Sequence, residues 1–141
     1  MNSSYLRLAQ SKIQDMAELV SRTLNVDVTV VDAGLRRIAG THGFGKRGES
    51  PYNSIFAKVL SSGDPVINAD RGKNNTCRSC ADFSVCTEKR NITYPIRFDD
   101  QVVGVVSFAC FSEEQRQAFE TKESECVSML KYMAGIIERE L

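Results

Sequence analysis

Apolar residues in the first part of the chain fall three and four apart, at Leu6, Ala9, Ile13, Met16, Val20 and Leu24. That spacing predicts one amphipathic helix over residues 4–24, with Ser3 or Ser4 as its N-cap and no Gly or Pro inside it. The stripe is close to a heptad, so the face suits either its own domain or a second copy of the chain. At Val26-Asp27-Val28-Thr29-Val30-Val31 the period drops to two and the residues become β-branched, which reads as a strand. Asp32-Ala33-Gly34 is a turn, and Leu35 to Gly40 reads as the returning strand of a hairpin. Gly40, Gly43, Gly45 and Gly48 then mark a loop.

Ser50-Pro51 offers a cap and a first helical residue for a second helix, whose apolar positions are Ile55, Phe56, Val59 and Leu60. Gly63 and Asp64-Pro65 stop it, and Pro65 to Asn68 makes a short edge strand. Residues 69–91 are polar and without a period. Ile92 to Phe98 is a strand, Asp99-Asp100-Gln101 a turn, and Val102 to Ala109 the longest strand, expected at the centre. Ser112-Glu113-Glu114-Gln115 matches a capping box. A long helix follows, with Phe119, Cys126, Leu130, Met133, Ile137 and Leu141 on one face; unbroken, it would span about 43 Å. It reaches Leu141 without a stop signal, which favours a connector into a further domain over a frayed end.

Hairpins joined in series predict an antiparallel sheet flanked by helices, an α+β fold. The expected organisation is one domain over 1–141. It comprises an N-terminal helix (1–25), a core (26–111) carrying a cysteine loop (69–91), and a C-terminal connector helix (112–141).

Composition narrows the function. The chain has 141 residues, 42% hydrophobic and 26% charged, which are globular values. Eighteen basic residues balance 18 acidic ones, so the overall positive field that nucleic-acid binding draws on is missing. One His and no Trp exclude paired-histidine catalysis and a histidine metal cluster. The longest apolar stretch, Val102 to Phe111, is interrupted by Gly104 and Ser107, far short of a membrane span. Met1-Asn2-Ser3-Ser4-Tyr5 lacks the basic start of a signal peptide, so the expectation is a cytoplasmic protein without membrane contact.

The cysteines carry the most chemistry. Three of the five, Cys77, Cys80 and Cys86, fall within ten residues, as Cys-x-x-Cys followed by a third thiol. Such a turn aims two thiolates at one centre, and thiolates select iron–sulfur clusters, zinc or copper(I). Lys73, Arg78, Lys89 and Arg90 would lower the thiol pKa values. Candidates for a fourth ligand are Cys110, Cys126, His42, Asp82 and Glu88. Cys126 lies on the apolar face of the last helix and reads as core, whereas Cys110, at the end of the central strand, can face the cysteine segment. An iron–sulfur cluster leads, with zinc next; a Cys77–Cys80 disulfide switch and plain free thiols are the competing readings.

Other features weigh less. Gly43-Phe44-Gly45-Lys46-Arg47-Gly48 fits the dinucleotide fingerprint only formally, because the strand–helix frame around it is missing. His42 reads as an exposed loop residue, and the basic group Arg36, Arg37, Lys46 and Arg47 as a solvated face rather than a nucleic-acid patch. Tyr94, Phe98, Phe108 and Phe111 read as core, or as the lining of a pocket. No nucleophile motif is present, so no catalytic residue is assigned and the chain is not expected to be an enzyme. The Cys-x-x-Cys does not open a helix after a strand, which disfavours a thioredoxin-like oxidoreductase.

Several runs taken together resemble a family: Val26 to Asp32, Leu35 to Thr41, Cys77-Arg78-Ser79-Cys80 with Cys86, Tyr94-Pro95-Ile96, Val103-Gly104-Val105-Val106, and Phe111 to Arg116. They resemble the N-terminal GAF/PAS-like sensor domain of certain sigma-54-dependent transcriptional regulators, over nearly the whole chain. The resemblance implies a sensor followed by PAS, AAA+ ATPase and helix-turn-helix domains, none of which has a motif here. It implies detection of redox state, oxygen or a small molecule at a centre held by Cys77, Cys80, Cys86 and Cys110, with iron–sulfur first and zinc as the alternative. It also implies a homodimer through the terminal helices and output domains that make the DNA contacts. Thr93 stands where the family often has a further cysteine, and Cys110 stands where it usually has a small residue, so either Cys110 replaces the missing ligand or the site has three cysteines and an open position. The alternative is a small-molecule-binding domain with a structural zinc or no metal.

Overall fold

The computed structural model describes residues 3–42, 44, 54–70 and 90–141. Among them the elements are α1 (Ser3–Leu8), α2 (Gln10–Leu24), β1 (Asp27–Asp32), β2 (Arg37–Gly40), α3 (Ile55–Ser62), β3 (Val66–Asp70), β4 (Arg90–Phe98), β5 (Gln101–Cys110), α4 (Glu113–Thr121) and α5 (Glu123–Glu140). The strands form one antiparallel sheet in the order β2-β1-β5-β4-β3. The longest strand is therefore central and β3 lies at an edge, as the pattern predicts.

Alternation along the strands divides the core in two. Val28 and Val30 of β1, Ile92 of β4, and Val106, Phe108 and Cys110 of β5 pack with Ile13, Ala17 and Val20 of α2. Phe119 of α4 and Cys126, Leu130, Met133 and Ile137 of α5 complete that cluster. On the other face Val31, Val105 and Ala109 pack with Phe44 and with Ile55, Phe56 and Val59 of α3. The larger helices thus cover one face and α3 part of the other.

Local chemistry sets the turns. Asp32 Oδ1 accepts from the backbone N–H of Gly34 and of Arg36, each at 2.9 Å, and closes the β1–β2 turn. Asp99 and Asp100 take φ of 52° and 63°, the pair of positive values that a two-residue hairpin turn requires. Gly63 ends α3 at φ 74°. Ser112 and Gln115 form the expected capping box. On the β2 edge, Gln14 pairs its side-chain amide with both backbone groups of Gly40 at 3.0 Å, and Gln10 Nε2 donates to Ile38 O at 2.9 Å. Two glutamines of α2 thereby satisfy an edge that would otherwise stay open.

Three expectations are corrected. The N-terminal helix is two helices that meet at Ala9, whose φ of −93° and ψ of 10° leave the helical region. The C-terminal helix is likewise interrupted at Lys122 (φ −124°, ψ 30°), so no single 29-residue rod exists. The second helix takes Ser54 as its N-cap, with its side chain accepting from Ala57 N; Ser50-Pro51 lies outside the described residues.

Among the described glycines, Gly104 has the closest neighbours. A Cβ there would stand 2.6 Å from Leu6 Cδ1 and 2.7 Å from the Val31 carbonyl oxygen. The leucine tip can move, but the carbonyl belongs to the neighbouring strand. Gly104→Ala is expected to destabilise the fold by about 1–3 kcal/mol, read by urea denaturation. Leu6→Ala in the same chain should fail to restore stability, because the backbone clash persists.

Candidate functional site

The strand that builds the core also places polar groups in it. Thr29, Ser107 and Thr93 share one cross-strand row, Thr29 opposite Ser107 and Ser107 opposite Thr93. The next row sets Asp27 beside Ala109 and Ala109 beside Asn91. Their in-phase neighbours Val31, Val105 and Ala109 pack with α3, so all five polar side chains lie on the α3 face. Thr29, Thr93 and Ser107 are 0% exposed, Asp27 3% and Asn91 5%.

Burial of so many polar groups requires partners. Ser107 donates its hydroxyl to Ile92 O at 3.0 Å. The Thr93 hydroxyl is shared between Ser107 Oγ, at 2.9 Å, and Asn91 Oδ1. Thr29 donates to Ala39 O at 2.8 Å and accepts from the Arg37 guanidinium, which also lies 5.0 Å from the Phe44 ring centroid. The Asp27 carboxylate accepts from Thr41 Oγ1 at 2.8 Å and from Gln115 Nε2 at 3.3 Å. That last bond ties the capping box of α4 to the same face. The result is a buried, hydrogen-bonded polar floor on the face that Phe44, Ile55 and Phe56 also cover.

The expected metal site is only partly described. Cys77, Cys80 and Cys86 lie outside the described residues, and no group of three His, Cys, Asp or Glu converges among those that are described. Asp70 and Arg90 face each other across the β3–β4 ladder, so the segment 71–89 leaves and rejoins the sheet at one point. Cys110 pairs with Arg90 in the next ladder, which places it beside that root. Its side chain belongs to the helix-covered core together with Cys126, on the opposite face from Asn91 and Thr93. Burial, reinforced by the neighbouring Cys126 and opposed by Arg90, pushes the Cys110 thiol up from 9.0 to about 12. Burial also raises the Cys126 thiol, with Glu125 adding to it. His42 is exposed in its turn, as expected.

The sequence reading missed Asp27, Thr29, Asn91 and Ser107 as site residues. The available signal was parity: Asp27 and Thr29 interrupt a valine run at alternate positions, and Ser107 does the same in the central strand. Only the register shows that these interruptions fall in line.

The GAF domain family matches residues 9–141. A chain of Escherichia coli (strain K12), UacR, named as a uric acid sigma-54-dependent transcriptional regulator, is 26% identical over 98% of this chain. The chain spans only 24% of that relative's length. Among solved structures, type II free methionine-R-sulfoxide reductase from Thermoplasma acidophilum superposes with a TM-score of 0.64 at 16% identity, covering 96% of this chain and 94% of that one. The cofactor-binding GAF domain of the nutrient sensor CodY from Clostridium difficile gives 0.60 at 12% identity, over 89% and 81%. At these identities the structural likeness carries the fold alone. Among the described residues no helix is long and apolar enough to cross a membrane.

The Cys110 shift makes a stability prediction. The folded thiol stays protonated while the unfolded one ionises, so its contribution is full below about pH 9 and is lost as pH rises toward 12. Unfolding free energy should fall across that window, by up to about 1.4 kcal/mol per pH unit for this one group. Urea titrations of Cys110→Ala should show a shallower slope over the same range than the unaltered chain. An unchanged slope would show that the thiol is not held protonated by the fold.

Proposed function

The chain belongs to the GAF family, and from that premise we propose that it is the small-molecule-sensing domain of a sigma-54-dependent transcriptional regulator. The observation that carries this reading is the buried polar floor of Asp27, Thr29, Asn91, Thr93 and Ser107 beneath α3. A relative named as such a regulator, matched over nearly the whole of this chain, supports the regulatory context. Its length supports output domains beyond the sensor, which would make the DNA contacts.

The ligand class follows from the floor. Hydroxyls, a carboxamide and a carboxylate exchange hydrogen bonds with ring N–H and C=O groups, while Phe44, Ile55 and Phe56 offer apolar cover. A small planar polar molecule fits that combination. Binding would draw α3 onto the sheet. The shift would pass to the terminal helices, through which two copies of the chain pair. In this reading Cys110 and Cys126 take no chemical part: both are buried, with thiols raised away from reactivity.

A second reading keeps the cysteine centre, on one observation: Cys110 stands in register with Arg90, where the segment bearing Cys77, Cys80 and Cys86 rejoins the sheet. Those three cysteines would hold an iron–sulfur cluster or zinc. Cys110 would join them only by giving up a proton that burial holds tightly. A bound cluster would supply sensitivity to oxygen or redox state.

Calorimetric titration with uric acid and related oxygenated heterocycles tests the first reading. The unaltered chain is expected to bind at least one of them, and the paired change Thr93→Val with Ser107→Ala should weaken binding about tenfold or more. The double change also removes donors from Asn91 Oδ1 and Ile92 O, so a stability loss of about 1–3 kcal/mol is expected, and urea denaturation checks that the variant is folded under the titration conditions. Tight binding that the pair of changes does not weaken would place the site elsewhere. Iron, sulfide and zinc analysis after anaerobic purification tests the second reading, and a chain free of all three would remove it.

A further inference from the structure

The joint at Lys122 has no strong helix breaker. Residues 119–126 read Phe-Glu-Thr-Lys-Glu-Ser-Glu-Cys, with no Gly, Pro or Asn, and the local features that loosen a helix are mild: Thr121 Oγ1 donates back to Gln117 O at 2.9 Å, and Glu123 and Glu125 suit a first turn. Yet Lys122 takes φ −124° and ψ 30°, well away from helical values. Its N–H turns back to Phe119 O at 3.0 Å, and the next helix begins with Cys126 N donating to Lys122 O at 2.9 Å. The amides of Glu123, Ser124 and Glu125 are thereby the first amides of a new helix, which have no partner within it.

What grips the joint comes from elsewhere in the chain. The Arg90 side chain, only 13% exposed, reaches Glu123 Oε1 with NH2 at 3.1 Å and Glu120 Oε1 with NH1 at 3.9 Å. One carboxylate ends α4 and the other begins α5. The same guanidinium stands 5.0 Å from the centroid of the Phe119 ring, which is 1% exposed. Arg116 Nε holds Glu120 from the other side at 3.2 Å. A planar fork with several donors can span two carboxylates on either side of a break, which an ammonium does not do as well.

We propose that the α4–α5 joint is a hinge locked by Arg90, and that releasing Arg90 lets residues 113–140 run as one helix. Two opposed tendencies make the lock decisive. Continuation would give the amides of residues 123–125 the carbonyls of residues 119–121. Against it, Phe119 and the Gln115–Asp27 bond keep α4 on the sheet. The ion pairs tip the balance toward the bend. Arg90 is also where the segment 71–89 rejoins the sheet, opposite Asp70. The polar floor begins at the adjacent Asn91, so the lock and the floor share one strand. The regulatory use of the hinge rests on the sensor reading above; the lock itself does not.

The experiment needs no ligand. Amide hydrogen exchange is followed at residues 123–125 in the unaltered chain, in Arg90→Gln and in Glu123→Gln. Release should slow exchange at these amides about tenfold or more in Arg90→Gln and by a smaller factor in Glu123→Gln. Arg90→Lys, which keeps the charge without the fork, should lie between Arg90→Gln and the unaltered chain. A purely structural role for Arg90 would do the opposite, loosening the joint and speeding exchange. Exchange that is unchanged or faster at residues 123–125 in a folded variant overturns the proposal. Where Arg90→Gln fails to fold, Glu123→Gln decides by the same criterion. A joint that straightens in a chain that binds no small molecule would keep the lock and remove only the sensor reading.

Discussion

A strand buried on both faces must be covered twice, and β5 is such a strand from Val103 to Cys110. On one side it presents Val106, Phe108 and Cys110 to the long helices. On the other it presents Val105, Ser107 and Ala109 toward α3. The first cover is apolar throughout and follows the ordinary logic of area removed from water. The second is mixed, because the row through Ser107 is made of hydroxyls. The architecture therefore contains one face built for cohesion and one built around polar groups that have to be satisfied, and the sheet rigidly joins the two.

That division explains where communication is possible. The α3 face meets the helix face at one end of the sheet, where Asn91 adjoins Arg90 and Arg90 stands opposite Cys110. From the same end Gln115 reaches through to Asp27. Thus α4 has a hydrogen bond to the polar floor and, through Glu120, an ion pair to the strand that frames it. Besides α3, which lies on the same face, α4 is hydrogen-bonded to the floor directly. Contiguous contact of this kind gives a physical route for coupling, provided the joint has two arrangements close in free energy.

Much of the fold was legible because the deciding chemistry is local. The period of two in β1, β4 and β5, the Asp99-Asp100 turn, the glycine stop at Gly63 and the Ser112–Gln115 box each depend on residues a few positions apart. The breaks at Ala9 and Lys122 were not legible. Neither has a strong breaker in its surroundings, and the ion pairs that span the break at Lys122 come from Arg90, distant in the chain. The start of α3 was misplaced because Ser50-Pro51 and Ser54 both offer plausible caps, and a local rule does not choose between them. The polar floor was hidden for a related reason. Thr29, Thr93 and Ser107 are unremarkable within their own strands and become a row only through register. The cysteine cluster, the loudest signal in the sequence, lies outside the described residues, whereas Cys110, expected beside it, lies in the apolar core.

The floor itself argues for a ligand more strongly than its hydrogen bonds alone suggest. A buried hydroxyl pair contributes little net stability, and replacing both partners with apolar groups of the same shape is close to neutral. Valine fills the neighbouring positions Val28, Val30, Val105 and Val106, so the strand environment accepts it readily. A sequence selected for the sheet alone had valine available at Thr29 and Thr93 as well. Hydroxyls at those positions, lined up with Ser107 and flanked by a carboxamide and a carboxylate, instead put directional polar groups in one plane inside the fold. Each of these hydroxyls is satisfied within the protein, so the row costs the fold little, and the sensor proposed above would put it to use in recognising a small polar molecule.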